Sequence, residues 1–219
     1  MNNPVIAIDG PSASGKGTVA SRVAAVLGWA YLDSGALYRL TALYAEQQGV
    51  AWGDEAQVAA LAQALPVRFA DGEIYLHNAA VGAAIRAEHI GMGASQVAAL
   101  PQVRAALLQR QRDFAAHSPL VADGRDMASV VFPDAVLKIF LTASAQVRAQ
   151  RRALQLNLPL EGAAFEQILH DIEARDAADR NRAVAPLQQA ADAVLLDTSD
   201  LNIEQAVKKV IDCYRQIEN

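Results

Sequence analysis

The sequence predicts an α/β fold around a parallel sheet, and three observations carry that prediction. Short apolar runs recur at 5–9, 30–32, 119–123, 136–141 and 193–197, separated by stretches of helical periodicity, which is the rhythm of βα units. The first run feeds Gly10-Pro11-Ser12-Ala13-Ser14-Gly15-Lys16-Gly17-Thr18, with the G-x-x-x-x-G-K spacing of a phosphate-binding loop. The length, 219 residues, suits one compact α/β core with an insertion and is short for two full domains.

The flanks of the glycine loop give it a mechanism. Val5-Ile6-Ala7-Ile8-Asp9 reads as a buried strand, and Val19, Val23, Ala24, Val26 and Leu27 space a helix from Lys16 to about residue 27. Glycines let successive backbone N–H groups turn inward as an anion nest, and the helix N-terminus adds partial positive charge. Lys16 is expected over the β- and γ-phosphates of a nucleotide. A bare glycine turn is the plain alternative. Gly17 stands where Ser or Thr usually follows the lysine, and Thr18 comes next. G-K-G-T resembles nucleoside monophosphate kinases and argues against a GTPase, as does the absence of an N-K-x-D motif.

Bulk properties exclude several classes. Net charge is −5, which disfavours a long nucleic-acid footprint. No apolar run approaches a membrane span and the N-terminus lacks a signal-peptide pattern, so a cytoplasmic protein is expected. Cys213 is the only cysteine, so no intrachain disulfide can form. Arginines number 15 against 4 lysines. That is either a compositional bias or a set of bidentate forks placed on phosphates.

Along the chain, 30–32 leads into Asp33-Ser34-Gly35-Ala36-Leu37-Tyr38-Arg39. Asp33 or Ser34 can cap the helix that follows to about 48. Tyr38 and Arg39 fall in its first turns, near a strand end where ligands of parallel sheets bind. They contact a second phosphate there, or they belong to an ordinary capped helix. Residues 61–96 break the rhythm. Asp71-Gly72 between 66–70 and 73–77 is a hairpin signal, so an antiparallel insertion beside the core is expected. His77 and His89 read as surface residues without a metal role, and Met92 as packing. Helical periodicity covers 94–117, with Pro101 starting a second segment that carries Arg104. The run 119–123 ends in Asp123, a strand-end carboxylate of the kind that orients magnesium-bound water, and Arg125 follows it. Arg148, Arg151 and Arg152 share a helical face, as do Arg175, Asp179 and Arg182. Asp176 and Arg180 read as a solvent-face i, i+4 pair.

Taken in order, several segments resemble bacterial cytidylate kinases from end to end. They are Ile8 through Thr18, Leu32 through Arg39, Ala122-Asp123-Gly124-Arg125-Asp126-Met127, Val131 through Ala135, the arginine-rich 175–182, Ala185-Pro186-Leu187 and Asp197-Thr198-Ser199. The resemblance implies a three-layer P-loop fold with a five-stranded parallel sheet flanked by helices. One domain, 1–219, would comprise a core of about 1–60, 97–147 and 163–219. An inserted monophosphate-binding subdomain would lie at about 61–96 and a short lid at about 148–162. It also implies transfer of the ATP γ-phosphoryl to CMP or dCMP with Mg2+, in pyrimidine nucleotide metabolism, by a monomer without nucleic-acid or membrane partners.

Carried over by residue, Gly10, Pro11, Ser12, Ala13, Ser14, Gly15, Lys16, Gly17 and Thr18 hold ATP, with Arg148 and Arg151 from the lid. Lys16, Asp123, Arg125 and Arg182 form the catalytic set. Arg39, Arg125 and Arg182 clamp the CMP phosphate, with Ser34 and Tyr38 lining the same pocket. Ser95, Arg104 and Asp126 read cytosine, and Arg175 and Asp179 contact the ribose. No protein side chain is expected to ligate metal directly. One departure is Ala128-Ser129, where the family pattern has Gly-Thr. A monophosphate kinase for another base, or a non-catalytic ATP-binding switch, are the alternatives.

Overall fold

The computed structural model describes residues 3–70 and 73–218. In chain order the elements are β1 (Val5–Asp9), α1 (Lys16–Leu27), β2 (Ala30–Asp33), α2 (Ser34–Gln47), α3 (Glu55–Gln63), β3 (Val67–Ala70), β4 (Glu73–Leu76), β5 (Ala79–Ala80), α4 (Glu88–Val97), α5 (Pro101–His117), β6 (Leu120–Gly124), β7 (Leu137–Thr142), α6 (Ala145–Gln155), α7 (Ala163–Arg180), β8 (Val194–Asp197) and α8 (Ile203–Glu218). A 3₁₀ turn lies at Ala84–Arg86 and a turn of π-helix at Met127–Val131. The chain forms two compact units, Met1–Leu32 with Phe114–Asn219, and Asp33–Asp113.

The first unit is built on a five-stranded sheet in the order β2-β6-β1-β7-β8. β1 pairs in parallel with β6, Val5 opposite Leu120 through Asp9 opposite Gly124, and with β7 on its other edge. β7 in turn pairs in parallel with β8. Ile6, Ala7 and Ile8 are fully buried. That explains why β1 reads as an unbroken apolar run, because helices cover both faces of a parallel sheet. β8 is an edge strand, and its Val194 and Leu195 are exposed. One core cluster joins Ile6, Ile8 and Leu141 of the sheet to Val19 and Val23 of α1 and to Val210 and Tyr214 of α8. The parallel arrangement brings the carboxyl ends of β1, β6, β7 and β8 to one edge, so Asp9, Gly124, Thr142 and Asp197 mark a shared rim.

The second unit holds α2, α3, α4 and most of α5, with a three-stranded antiparallel sheet β3-β4-β5. Val67 pairs with Leu76 and Arg68 with Tyr75, and the Arg68 guanidinium lies 4.3 Å from the Tyr75 ring centroid. The Asp71-Gly72 turn itself lies outside the described residues. Asp33 caps α2, accepting from the Ala36 N–H at 3.0 Å. Trp52 donates its indole N–H to the Ala42 carbonyl at 3.0 Å. Gly93 is required there, because a Cβ would come within 2.5 Å of the Trp52 ring. Met92 is about half exposed, so the packing expected of it is not found. His77 is exposed, stands edge-on to Tyr44 and takes a positive φ of 52°.

Candidate active site

The site of the first unit starts from backbone geometry. At Gly10 a Cβ would overlap the Leu141 carbonyl oxygen at 2.0 Å, so only glycine lets the loop pass against β7. Ala13 and Gly15 adopt positive φ, 56° and 85°, and alternation of this kind turns successive N–H groups to one side. Gly15 caps α1 without a side-chain hydrogen bond, so the first N–H groups of that helix depend on a ligand or water. Lys16 Nζ donates to the Pro11 carbonyl at 3.5 Å. Ser14 is buried, and its hydroxyl has no hydrogen-bond partner among the described residues. A buried orphan hydroxyl inside an anion nest is what phosphate oxygens would satisfy. A cavity of about 590 Å³ opens over the loop, lined by Gly15, Lys16, Thr18, Arg152, Gln155 and Asn202 among others, a size suited to a nucleotide.

Around the loop stands a shell of charged groups. The Tyr31 hydroxyl donates to Asp123 Oδ1 at 2.8 Å. Arg125 donates from Nε to Asp179 Oδ2 at 2.7 Å and from Nη2 to Ser12 Oγ at 3.0 Å. Arg182 Nη2 stands 3.5 Å from the other oxygen, Asp179 Oδ1. Asp179 thus lies against two of the expected phosphate arginines, so the forks are held by a carboxylate that phosphate oxygens can replace. Asp126 is buried and Arg175 half-buried.

Asp9 anchors this region from below. Its two carboxylate oxygens accept the Met127 and Ala128 N–H groups, each at 2.8 Å. These are the first residues of the π-turn after Asp126, so Asp9 fixes where the Arg125-Asp126 backbone lies. Burial raises its pKa to about 6, opposed by those two hydrogen bonds and helped by the nearby Asp126 charge.

Two expectations need correction. Arg148 is buried and fully committed to its own chain. Its guanidinium grips Asp176 at 2.6 and 3.1 Å and donates to the Ala143 and Ser12 carbonyls, both at 2.9 Å. It braces the loop through Ser12 and does not present its fork to a ligand. Asp176 is accordingly buried, not on a solvent face, with Arg180 a more distant partner at 3.8 Å. The reason is the α6–α7 hairpin, which turns that side of α7 toward α6. Arg151 stands between the two roles. It lines the cavity, yet its fork grips the Thr198 carbonyl at 2.6 Å and the Ser14 carbonyl at 3.3 Å. Burial lowers its pKa, and the Asp197 charge opposes this.

The second unit gathers the remaining residues on α2, α4 and α5. Arg39 donates to the Ile85 carbonyl at 3.0 Å and passes so close to α4 that a Cβ on Gly91 would sit 3.1 Å from its Nη1. Ser95 Oγ donates to the Gly91 carbonyl at 3.2 Å. Buried Arg104 donates to the Ala98 carbonyl at 3.1 Å and stacks 5.6 Å from the Tyr38 ring centroid. Ser34 and Tyr38 are buried as well. Tyr31, Asp9 and Gly91 were not singled out from the sequence. Asp9, the polar end of an apolar strand at the loop, was the one with a local signal.

The family model for cytidylate kinase matches residues 6–216. The chain belongs to the cytidylate kinase family. Among curated relatives, the cytidylate kinase of Neisseria meningitidis serogroup A is 67% identical over 213 residues, covering 97% of this chain and 98% of that protein. The cytidylate kinase of Chromobacterium violaceum is 61% identical over 216 residues, covering 99% and 97%. Among solved structures, a gluconokinase from Sinorhizobium meliloti superimposes with a TM-score of 0.52 at 16% identity, covering 99% of this chain and 94% of that one. It shares the fold alone.

Proposed function

We propose that this chain transfers the γ-phosphoryl group of ATP to CMP or dCMP, giving ADP and CDP or dCDP, a step of pyrimidine nucleotide metabolism. The observation that carries this is the family match over nearly the whole chain, with an intact phosphate loop inside it. Phosphoryl transfer asks the protein mainly to align two anions and neutralise the charge between them. The nest of 10–18 receives the ATP phosphates, and the Ser14 hydroxyl and the first N–H groups of α1 bind their oxygens. Lys16 leaves the Pro11 carbonyl for the β- and γ-phosphates. Arg125 and Arg182 exchange Asp179 for CMP phosphate oxygens. The acceptor oxygen is already ionised near neutral pH, so no strong base is needed. Arg175 and Asp179 take the ribose, and Asp126 takes cytosine.

Bound with ATP, magnesium would supply charge neutralisation to the triphosphate, with Asp123 beside the loop as the carboxylate that would orient its water. The donor set suits a metal held mainly by phosphates and water. No cluster of three metal-binding side chains exists among the described residues, while buried Asp123 lies beside Gly17 at the loop. The segment of about 148–162 acts as the lid, excluding water when both nucleotides are bound, and about 61–96 as the monophosphate-binding insertion. We infer a cytoplasmic monomer. Among the described residues no helix is long and apolar enough to cross a membrane.

A coupled assay with ATP and a panel of monophosphates tests the reading. CMP and dCMP should support ADP release far above UMP and AMP. Preference for another monophosphate would reassign the base, and nucleotide binding without any diphosphate product would leave a switch, not an enzyme.

A further inference from the structure

Gly17 removes the hydroxyl that most phosphate loops carry beside their lysine, and two polar groups lie next to that position. A Cβ on Gly17 would lie 3.4 Å from the Tyr31 hydroxyl and 3.7 Å from Asp123 Oδ2. The same hydroxyl donates to the other carboxylate oxygen, Asp123 Oδ1, at 2.8 Å. The two oxygens of Asp123 are therefore distinguished: Oδ1 meets the phenol and Oδ2 faces the first turn of α1. A carboxylate about its last torsion is otherwise broadly disposed. A phenol hydrogen bond to it is charge-assisted and directional.

We infer that Tyr31 is a positioning residue for the phosphoryl-transfer site, its hydroxyl lying beside Gly17 and holding Asp123 with Oδ2 toward the magnesium–triphosphate end of ATP. This rests on the magnesium reading above. Tyr31 reaches the site from β2 and Asp123 from β6, which are neighbours in the sheet, so the pair is set by sheet pairing and does not depend on a mobile loop. The Tyr31 ring also packs against the core cluster of α1 and the sheet. Tyr31→Phe keeps that packing and removes only the hydroxyl.

The test is calorimetric titration of ADP, with and without Mg2+, on wild type, Tyr31→Phe, Asp123→Asn and the double variant. The quantity read is the magnesium gain, the ratio of the two dissociation constants. Tyr31→Phe should lower that gain by about three- to tenfold, the scale of one net hydrogen bond. Its Mg2+-free ADP affinity should stay within about twofold of wild type. The double variant should be no worse than Asp123→Asn, because the hydroxyl acts through that carboxylate. The Mg2+ concentration for half-maximal turnover should rise in parallel. Equal losses with and without Mg2+, or losses that add to those of Asp123→Asn, overturn the inference. A wild type without magnesium gain, or an Asp123→Asn variant that keeps it, overturns the magnesium reading first and the inference with it.

Discussion

Replacing Arg148 by Met should damage stability far more than it damages ATP recognition. Both Arg148 and Asp176 have side chains only 4% exposed. Removing the arginine leaves a carboxylate buried, with Arg180 at 3.8 Å as a weak substitute. It also strips a donor from each of the Ser12 and Ala143 carbonyls. Breaking a buried pair from one side costs about 3–5 kcal/mol. For a chain of this length each kcal/mol lowers Tm by about 2–4 °C, so a fall of roughly 6–20 °C is expected. Arg148→Met/Asp176→Leu removes the stranded charge, and should recover at least about half of the loss, since buried pairs are often replaceable by apolar residues of similar volume. Urea unfolding and calorimetry on wild type and both variants measure this, with KM for ATP taken well below each Tm. A variant with unchanged Tm but an ATP KM raised more than about tenfold would place Arg148 on the nucleotide, as the sequence suggested, and refute the brace.

Lys16→Ala should keep the fold and lose at least about 2–3 kcal/mol of transition-state stabilisation in kcat/KM, the scale of one preorganised donor; near-normal turnover with an unchanged circular dichroism spectrum would remove it from the chemistry. Asp9 has a folded pKa of about 6 against 3.8 when unfolded, so the folded state takes up the proton more readily, and this contribution is fully present below about pH 4 and lost as pH rises through 6. Asp9→Asn should abolish that component, so the wild-type-minus-variant stability difference should change by up to about 3 kcal/mol across this window, and a flat difference would show the carboxylate titrating normally. Asp126→Asn should shrink the CMP-over-UMP preference by about ten- to a hundredfold, because a carboxylate accepts from the cytosine amino group and repels uracil O4; equal loss of both substrates would make Asp126 structural.

Much of this was legible in the chain because it is local. The strand–loop–helix at 5–27 declares itself by periodicity and by glycines whose positive φ or close approach nothing else tolerates. The hairpin strands and the break at Pro101 are equally local signals. α3 was not singled out, although Asp54 accepts the Gln57 N–H at 3.1 Å in a recognisable cap. The π-turn at Met127–Val131 was not foreseeable, since the carboxylate that holds it comes from Asp9, 118 residues away. Asp176 misled because its i, i+4 neighbour Arg180 offered a local partner, while the true one, Arg148, lies on the preceding helix. Tyr31 read as one more strand residue. Its role depends on β2 being next to β6, and strand order is not written in a single segment. The rim residues Asp123, Arg125, Arg182 and Asp179 were nameable from motif, but their pairing with Tyr31, Ser12 and one another was not.

The most direct test of the central claim is a product analysis of ATP and CMP incubated with the purified chain and Mg2+, followed by phosphorus NMR or ion-exchange chromatography. One CDP should appear for each ADP, at a kcat/KM for CMP exceeding that for UMP by at least about a hundredfold, the discrimination a site built for one hydrogen-bonding pattern supports. ADP formed without CDP, or UMP consumed as readily as CMP, would contradict the account.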